Sequence, residues 1–273
     1  MCCLMRMTGM THRRMERSEG LAHAGLAWRD GRTRLVDLRQ QGSAKAILPR
    51  VEGDVPEVVF LNTSGGLTGG DRLDLSLHVT GRATGTTQTA ERAYDAGGGL
   101  ARVRVAHRVE GWLDWLPQET IVYDRAGLDR ETRIDLAPGA GCICLEMLVL
   151  GRAAMGEVVR DLHLSDRREV WRDGKPAFVE WLSLNNEALR AGPAGLAGAR
   201  AIATLAMVGP GAEDALTRAR GALTQDGVEA AASAWDGKLV VRMRAGDGWP
   251  LRRQVASLLT ALRDAPLPRV WQV

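Results

Sequence analysis

Phenylalanine and tyrosine are nearly missing from this sequence, with two of each in 273 residues, and the aromatic content rests on eight tryptophans. No apolar run reaches the roughly 18 residues a membrane-crossing helix needs, so no membrane partner is expected. The five histidines (His12, His23, His78, His107 and His163) are scattered, and neither H-E-x-x-H nor C-x-x-C occurs, so no zinc centre is written into the chain. His78 and His107 are assigned to the polar faces of strands, solvated or hydrogen-bonded. There is no G-x-x-x-x-G-K-[ST] phosphate loop, no G-x-G-x-x-G between a strand and a helix, and no G-x-S-x-G nucleophile elbow. Charge of one sign is also missing. The 36 basic and 33 acidic residues leave +3, which is no argument for a nucleic-acid partner.

Cysteine is sparse: Cys2, Cys3, Cys142 and Cys144. The last two lie two apart in a strand-like run, so both face one way and do not form an ordinary disulfide. Buried apolar thiols are expected there, and the absence of a secretion signal points to a reducing cytoplasm. Residues 1–14, MCCLMRMTGMTHRR, match neither a signal h-region nor a helix face. They are expected to form a disordered extension, with Met15 as the start. Cys2, Cys3 and His12 as a soft-metal hook is the alternative.

What the chain does have is glycine punctuation and period-two alternation. The stretch Phe60–Asp95 places Gly65, Gly66, Gly69 and Gly70 within six residues, ending on Asp71. Leu73, Leu75, Leu77 and Val79 then alternate with polar residues, the signature of a half-buried strand. Arg29-Asp30-Gly31-Arg32 and the segment around Asp173-Gly174 read as hairpin turns. Cys142–Leu150 is a continuous apolar run interrupted by Glu146, as in a strand covered on both faces. A lone acid in such a run must be paired, protonated or functional. Gly151–Glu157 is a second glycine unit, carrying Arg152 and an acid. Helical spacing appears only late, over Glu213–Leu223 and again after Pro250, where Leu251, Val255, Leu258, Leu259 and Leu262 share a face. The chain is therefore mainly β with two late helices. A sandwich, a barrel and a β-helix all fit the strand pattern. The acids in apolar or glycine-rich settings are Asp71, Glu146, Glu157 and Glu180.

GGLTGGDRL at 65–73, TTQ followed by Tyr94, WLPQETIVY at 115–123, LGRAAMGE at 150–157, the EVW…G…VE run at 169–180 and LPRVW at 267–271 occur in that order. Together they resemble the urease accessory protein UreD (UreH) family over nearly everything from Gly20 onward. Two departures stand out. Thr63-Ser64 replaces the prolines many members place before the glycine pair, and Glu91-Arg92-Ala93 stands where many have a lysine before the tyrosine. The resemblance implies a single domain over residues 15–273, a β-helix-like stack of short strands with two α-helices in the C-terminal part, and no catalysis. It also implies a scaffold that binds urease apoprotein and UreF, with the GTPase UreG joining through UreF. Nickel would pass through an internal tunnel, with no stably bound cofactor.

Weak, exchangeable oxygen ligands suit a nickel conduit better than thiolates. Asp71, Glu146, Glu157 and Glu180 are the candidate path residues, and Gly65, Gly66, Gly69, Gly70 and Arg152 form the candidate partner or structural loops. Structural roles stay open for Asp71, as a cap on backbone amides, and for Glu157, as the partner of Arg152. Two other classes also stay open. A carbohydrate-active β-helix enzyme would need paired acids and an aromatic groove. A plain interaction module would use Trp112, Trp115 and the C-terminal helix as contact surface; the more conservative reading of the helix is that it packs on its own β body.

Overall fold

The computed structural model describes residues 17–51 and 53–272. The expectations for residues 1–14 and for Met15 as the start lie outside the described residues. In chain order the strands are β1 (Glu19–Arg29), β2 (Arg32–Gly42), β3 (Ala44–Ile47), β4 (Glu57–Asn62), β5 (Arg72–Val79) and β6 (Arg82–Gln88). They continue as β7 (Glu91–Ala93), β8 (Ala101–Val109), β9 (Trp112–Leu116), β10 (Thr120–Val122), β11 (Ala126–Leu136) and β12 (Gly141–Leu150). The last five are β13 (Leu162–Arg172), β14 (Lys175–Leu184), β15 (Ala201–Val208), β16 (Val228–Trp235) and β17 (Lys238–Ala245).

The protein is mainly β, in two mixed sheets. A seven-stranded sheet runs β14-β13-β11-β8-β5-β1-β2, parallel from β13 to β1, with an antiparallel hairpin at each end. A ten-stranded sheet runs β16-β17-β15-β12-β9-β6-β4-β3, with β10 beside β12 and β7 beside β10. From β5 to β13 the chain passes repeatedly between the two sheets, and, β7 aside, each new strand is laid parallel to an earlier one. Parallel neighbours need a crossover, and here the opposite sheet supplies it. Both hairpin turns form as expected, with Asp30 and Gly31 at φ 49° and 78° and Asp173 and Gly174 at 51° and 70°. Positive φ at both central residues matches the right-handed strand twist.

The corner loops that return from the ten-stranded to the seven-stranded sheet stack on one another. Thr68 Oγ1 donates to the Asp95 carbonyl at 2.7 Å, Ala96 N–H to the Arg125 carbonyl at 3.0 Å, and Arg125 N–H to the Asp161 carbonyl at 2.7 Å. This packing explains Gly69: a Cβ there would collide with the Ala96 carbonyl oxygen.

β12 is covered on both faces, as its apolar run requires. Cys142, Cys144 and Leu148 enter the core between the sheets. Ile143, Leu145 and Met147 enter a second core under the helices. Both cysteines are free and buried, and burial pushes their thiols up, Cys144 to about 12. They are therefore neutral packing groups.

The described residues hold three α-helices, not the two expected: α1 (Asn186–Arg190), α2 (Leu216–Gly221) and α3 (Gly248–Leu262). α1 escapes a periodicity search because it is five residues long. A side-chain cap marks it instead, since Asn185 Oδ1 accepts from Ala188 N–H at 2.9 Å. α3 buries all five expected apolar residues, and Asp247 caps its start by accepting from Trp249 N–H at 2.8 Å.

Two expectations need correction. Trp115 is not contact surface, and of the two readings of the C-terminal helix the conservative one holds: the apolar face of α3 packs on the β body. Trp115 is 1% exposed, edge-on to Phe60, and the helix face is filled by the second core. His107 is not on the polar face of β8 either. That face carries Arg102, Arg104 and Arg108, whereas His107 shares the inward parity of Val103, Val105 and Val109. Its Nδ1 accepts from Leu77 N–H at 3.0 Å, and burial pushes its pKa down to about 3.

Candidate functional site

Glu146 projects from β12 on the same parity as Cys142 and Cys144, into the interior between the sheets. Charged residues sit at the inward parity of two facing strands as well. In β11, Arg130 falls between Leu128 and Thr132; in β13, Asp166 and Arg168 fall between Leu164 and Val170. These side chains meet. Arg130 forks onto Asp166, with Nε donating to Oδ1 at 3.0 Å and Nη2 to Oδ2 at 2.8 Å, and its Nη1 donates to Thr120 Oγ1 at 2.8 Å. Nη2 also pairs with Glu146. Arg168 lies 3.4 Å from Asp166 and 3.0 Å from Glu180, and Arg242 reaches Glu180 at 2.9 Å.

The series Glu146–Arg130–Asp166–Arg168–Glu180–Arg242 thus alternates in sign and runs outward. Side-chain exposure is 5% at Glu146, 15% at Glu180 and 60% at Arg242. It floors a cleft of about 500 Å³ at the ends of the two sheets. The walls are apolar, including Leu148, Leu182, Ile202 and Met243, and Trp181, 69% exposed, lies on the rim.

Low-dielectric surroundings make the charges interdependent. Burial pushes the Glu146 carboxyl up to about 7, against the pull of Arg130. Burial also raises Asp166, but Arg130 and Arg168 outweigh it and leave that carboxyl below its usual range. Burial disfavours the Arg130 charge, yet Asp166 and Glu146 more than compensate and keep the guanidinium protonated.

The four sequence-selected acids do not converge. Glu146 and Glu180 share the cleft; Asp71 and Glu157 hold corner loops. Asp71, buried, accepts from Ser18 N–H at Oδ1 and from Thr68 N–H at Oδ2, both at 2.8 Å, and so closes the turn containing Gly69 and Gly70. Glu157 pairs with Arg152 at 2.8 Å and accepts from Asp124 N–H at 3.1 Å. Along this corner the Gly65-Gly66 loop, Tyr94, Tyr123 and Arg152 form a column. Gly66 backs onto the Tyr94 ring, Tyr94 meets Tyr123 edge-on at 4.8 Å, and Arg152 lies over Tyr123 at 4.6 Å. Both tyrosines of the chain are here.

Arg130, Asp166, Arg168 and Arg242 were missed by sequence reasoning. For the first three a signal existed, a charge at the apolar parity of an alternating strand, a different pattern from the continuous apolar run that marked Glu146. Among the described residues, no group of three or more His, Cys, Asp or Glu is placed to hold a metal ion.

Fold and site together define a strand-built protein with an arginine-neutralised acidic cleft. The model of the UreD urease accessory protein family matches residues 18–272, and the chain belongs to that family. It is 63% identical over 264 residues to the urease accessory protein UreD of Cereibacter sphaeroides, covering 94% of this chain and 96% of that protein. Identity to the UreD of Paracoccus denitrificans is 54% over 266 residues, covering 95% and 94%. To the UreD of Rhizobium leguminosarum bv. trifolii it is 43% over 267 residues, covering 95% and 97%. The chain is therefore an accessory factor with a role in urease maturation and not an enzyme, which removes the carbohydrate-active alternative. No helix among the described residues is long and apolar enough to cross a membrane.

Proposed function

We propose that this chain is a cytoplasmic scaffold that binds the urease apoprotein and UreF, with UreG joining through UreF, and passes nickel toward the urease site through its interior. Nickel is cargo here, with no stably held cofactor. In this proposal the strands passing between the sheets wind as a β-helix-like stack, and the path lies between them. The observation that carries the reading is the outward series from Glu146 to Arg242. Glu146 and Glu180 present oxygen ligands, which suit a borderline divalent cation without holding it irreversibly. Each faces an arginine, so an arriving cation exchanges with a guanidinium and does not meet a bare charge. Asp71 and Glu157 shape the corner loops. The exposed column of Gly65, Tyr94 and Arg152 offers the aromatic and arginine chemistry common at protein contacts.

The test is co-expression with the urease structural subunits, UreF and UreG, scoring nickel in purified urease. The proposal expects the Glu146→Gln, Glu180→Gln double variant to lower nickel content at unchanged accessory-protein level. Fully loaded urease would overturn it.

A further inference from the structure

β2 is an open end of the seven-stranded sheet. It pairs only with β1, and every residue in it but Thr33 is exposed. Among the described residues, none of its backbone groups from Arg32 to Gln41 bonds to anything beyond the β1 ladder. The other sheet ends are occupied. On β16 the Ala232 carbonyl accepts from Arg220 Nε at 3.3 Å and Nη2 at 3.1 Å. On β3 the Ala46 N–H donates to Gln40 Oε1 at 3.2 Å. β7 is bridged by Leu67. β14 carries Pro176, which has no N–H, and is joined to β17 through Glu180 and Arg242.

The two sides of β2 differ in chemistry. Leu35 and Leu38 lie opposite Leu26 and Ala24 in the ladder, so they point to the side of the core. β3, the end of the facing sheet, is four residues long and does not cover them: they are 40% and 41% exposed. Ile47, at the end of β3, is exposed beside this seam. Arg34 and Arg39 lie opposite Ala27 and His23, on the outer side. Among the described residues neither forms an ion pair, whereas Asp37 is held by His23 at 3.4 Å. An incoming strand therefore meets apolar side chains on one side and free guanidiniums on the other.

A second copy of this chain does not fit that edge. Antiparallel self-pairing that sets Leu35 against Leu38 also sets Arg34 against Arg39, and like charges directly opposite repel. The register shift that leaves Val36 without a ladder partner is a further obstacle to copying the edge. Neither feature opposes an acidic strand.

We propose that β2 is a docking edge that takes an extended acidic segment of a partner protein as an added strand. Alternate residues of that segment are apolar, against Leu35 and Leu38, and carboxylates, against Arg34 and Arg39. The docking edge goes beyond the nickel reading and does not depend on it, since β14 with Glu180 lies at the opposite end of the sheet.

The test uses two short fluorescent peptides, one alternating glutamate with valine and one alternating lysine with valine. Each is titrated into the purified full-length chain and followed by anisotropy. The glutamate peptide is expected to bind about tenfold tighter or more. The Arg34→Glu, Arg39→Glu double variant changes only exposed side chains, and circular dichroism confirms its fold. It is expected to reverse the preference. Hydrogen exchange by NMR separates strand addition from charge attraction alone. The glutamate peptide is expected to slow the outward amides of β2 about tenfold and to leave β14 and β16 unchanged. No binding, equal affinity for the two peptides, an unreversed preference in the double variant, or protection outside β2 overturns the proposal. Outward β2 amides already slow in the free chain also overturn it. Slowing that grows with protein concentration assigns the edge to a second copy, and slowing independent of concentration assigns it to the chain's own residues.

Discussion

Arg263, just beyond α3, donates from Nε to Asp114 Oδ2 on β9 at 2.8 Å, and both side chains are 1% exposed. The same guanidinium donates to Thr84 Oγ1 at 3.0 Å and to the Pro266 carbonyl at 2.9 Å, while Trp112 Nε1 donates to Asp114 Oδ1 at 2.7 Å. This fully partnered pair ties the C-terminal segment to the ten-stranded sheet. Arg263→Ala leaves Asp114 buried without its cation and is expected to cost about 3–5 kcal/mol. Urea denaturation measures it. A loss below about 1 kcal/mol would mean that water reaches Asp114 and that the segment is not clamped.

The Asp71 carboxylate holds two backbone amides, of Ser18 and Thr68, that have no other partner among the described residues. Asp71→Ala should destabilise by about 1–3 kcal/mol, the cost of orphaned, half-buried donors. Hydrogen exchange at the Thr68 amide should accelerate together with the drop in melting temperature. If exchange there is unchanged, Asp71 is not what closes the glycine turn.

His107 makes stability depend on pH. Its folded pKa of about 3 lies below the ordinary value of 6.5, so the unfolded chain binds the extra proton between those values. Stability from the neutral ring is complete above about pH 6.5 and is lost as pH falls toward 3. Relative to His107→Gln, the native protein should lose about 2 kcal/mol between pH 7 and pH 5. Parallel pH curves for the two proteins would show that the ring is not titrating in the core.

Glu146 has the opposite sign. Burial raises its folded pKa above the ordinary 4.5, so the folded state holds the proton more tightly. Its carboxyl therefore favours folding at low pH, and that stability is lost as pH rises through about 7. Glu146→Gln mimics the protonated form and should remove this decline, so stability relative to the native chain should grow from pH 5 to pH 8. A constant difference across that range would mean that Arg130 keeps Glu146 ionised throughout.

Arg130 is the less replaceable member of the cleft. Arg130→Met strands Asp166 and Glu146 together in the interior and is expected to cost about 3–5 kcal/mol. Glu146→Gln should be far milder at pH 7, which makes it the better probe of transfer. Equal losses from the two variants, by denaturant titration, would contradict this ordering.

Much of this protein was decided locally. Alternation in β5 and β8, the positive-φ turns at Asp30-Gly31 and Asp173-Gly174, the doubly buried run of β12 and the apolar stripe of α3 all follow from neighbours a few residues apart. The signal at Glu146 was local too, because a charge in an apolar run needs no partner in view to be conspicuous. Its partners were another matter. Arg130 and Asp166 are 36 residues apart, and Glu180 and Arg242 are 62 apart. They meet because corner-loop lengths set the register between parallel strands, and register decides which inward residues face each other. For the same reason Asp71 and Glu157, which look like Glu146 and Glu180 in one dimension, end up holding loops. Residue type and parity are written in the chain; which charges become neighbours is settled only when the sheets close.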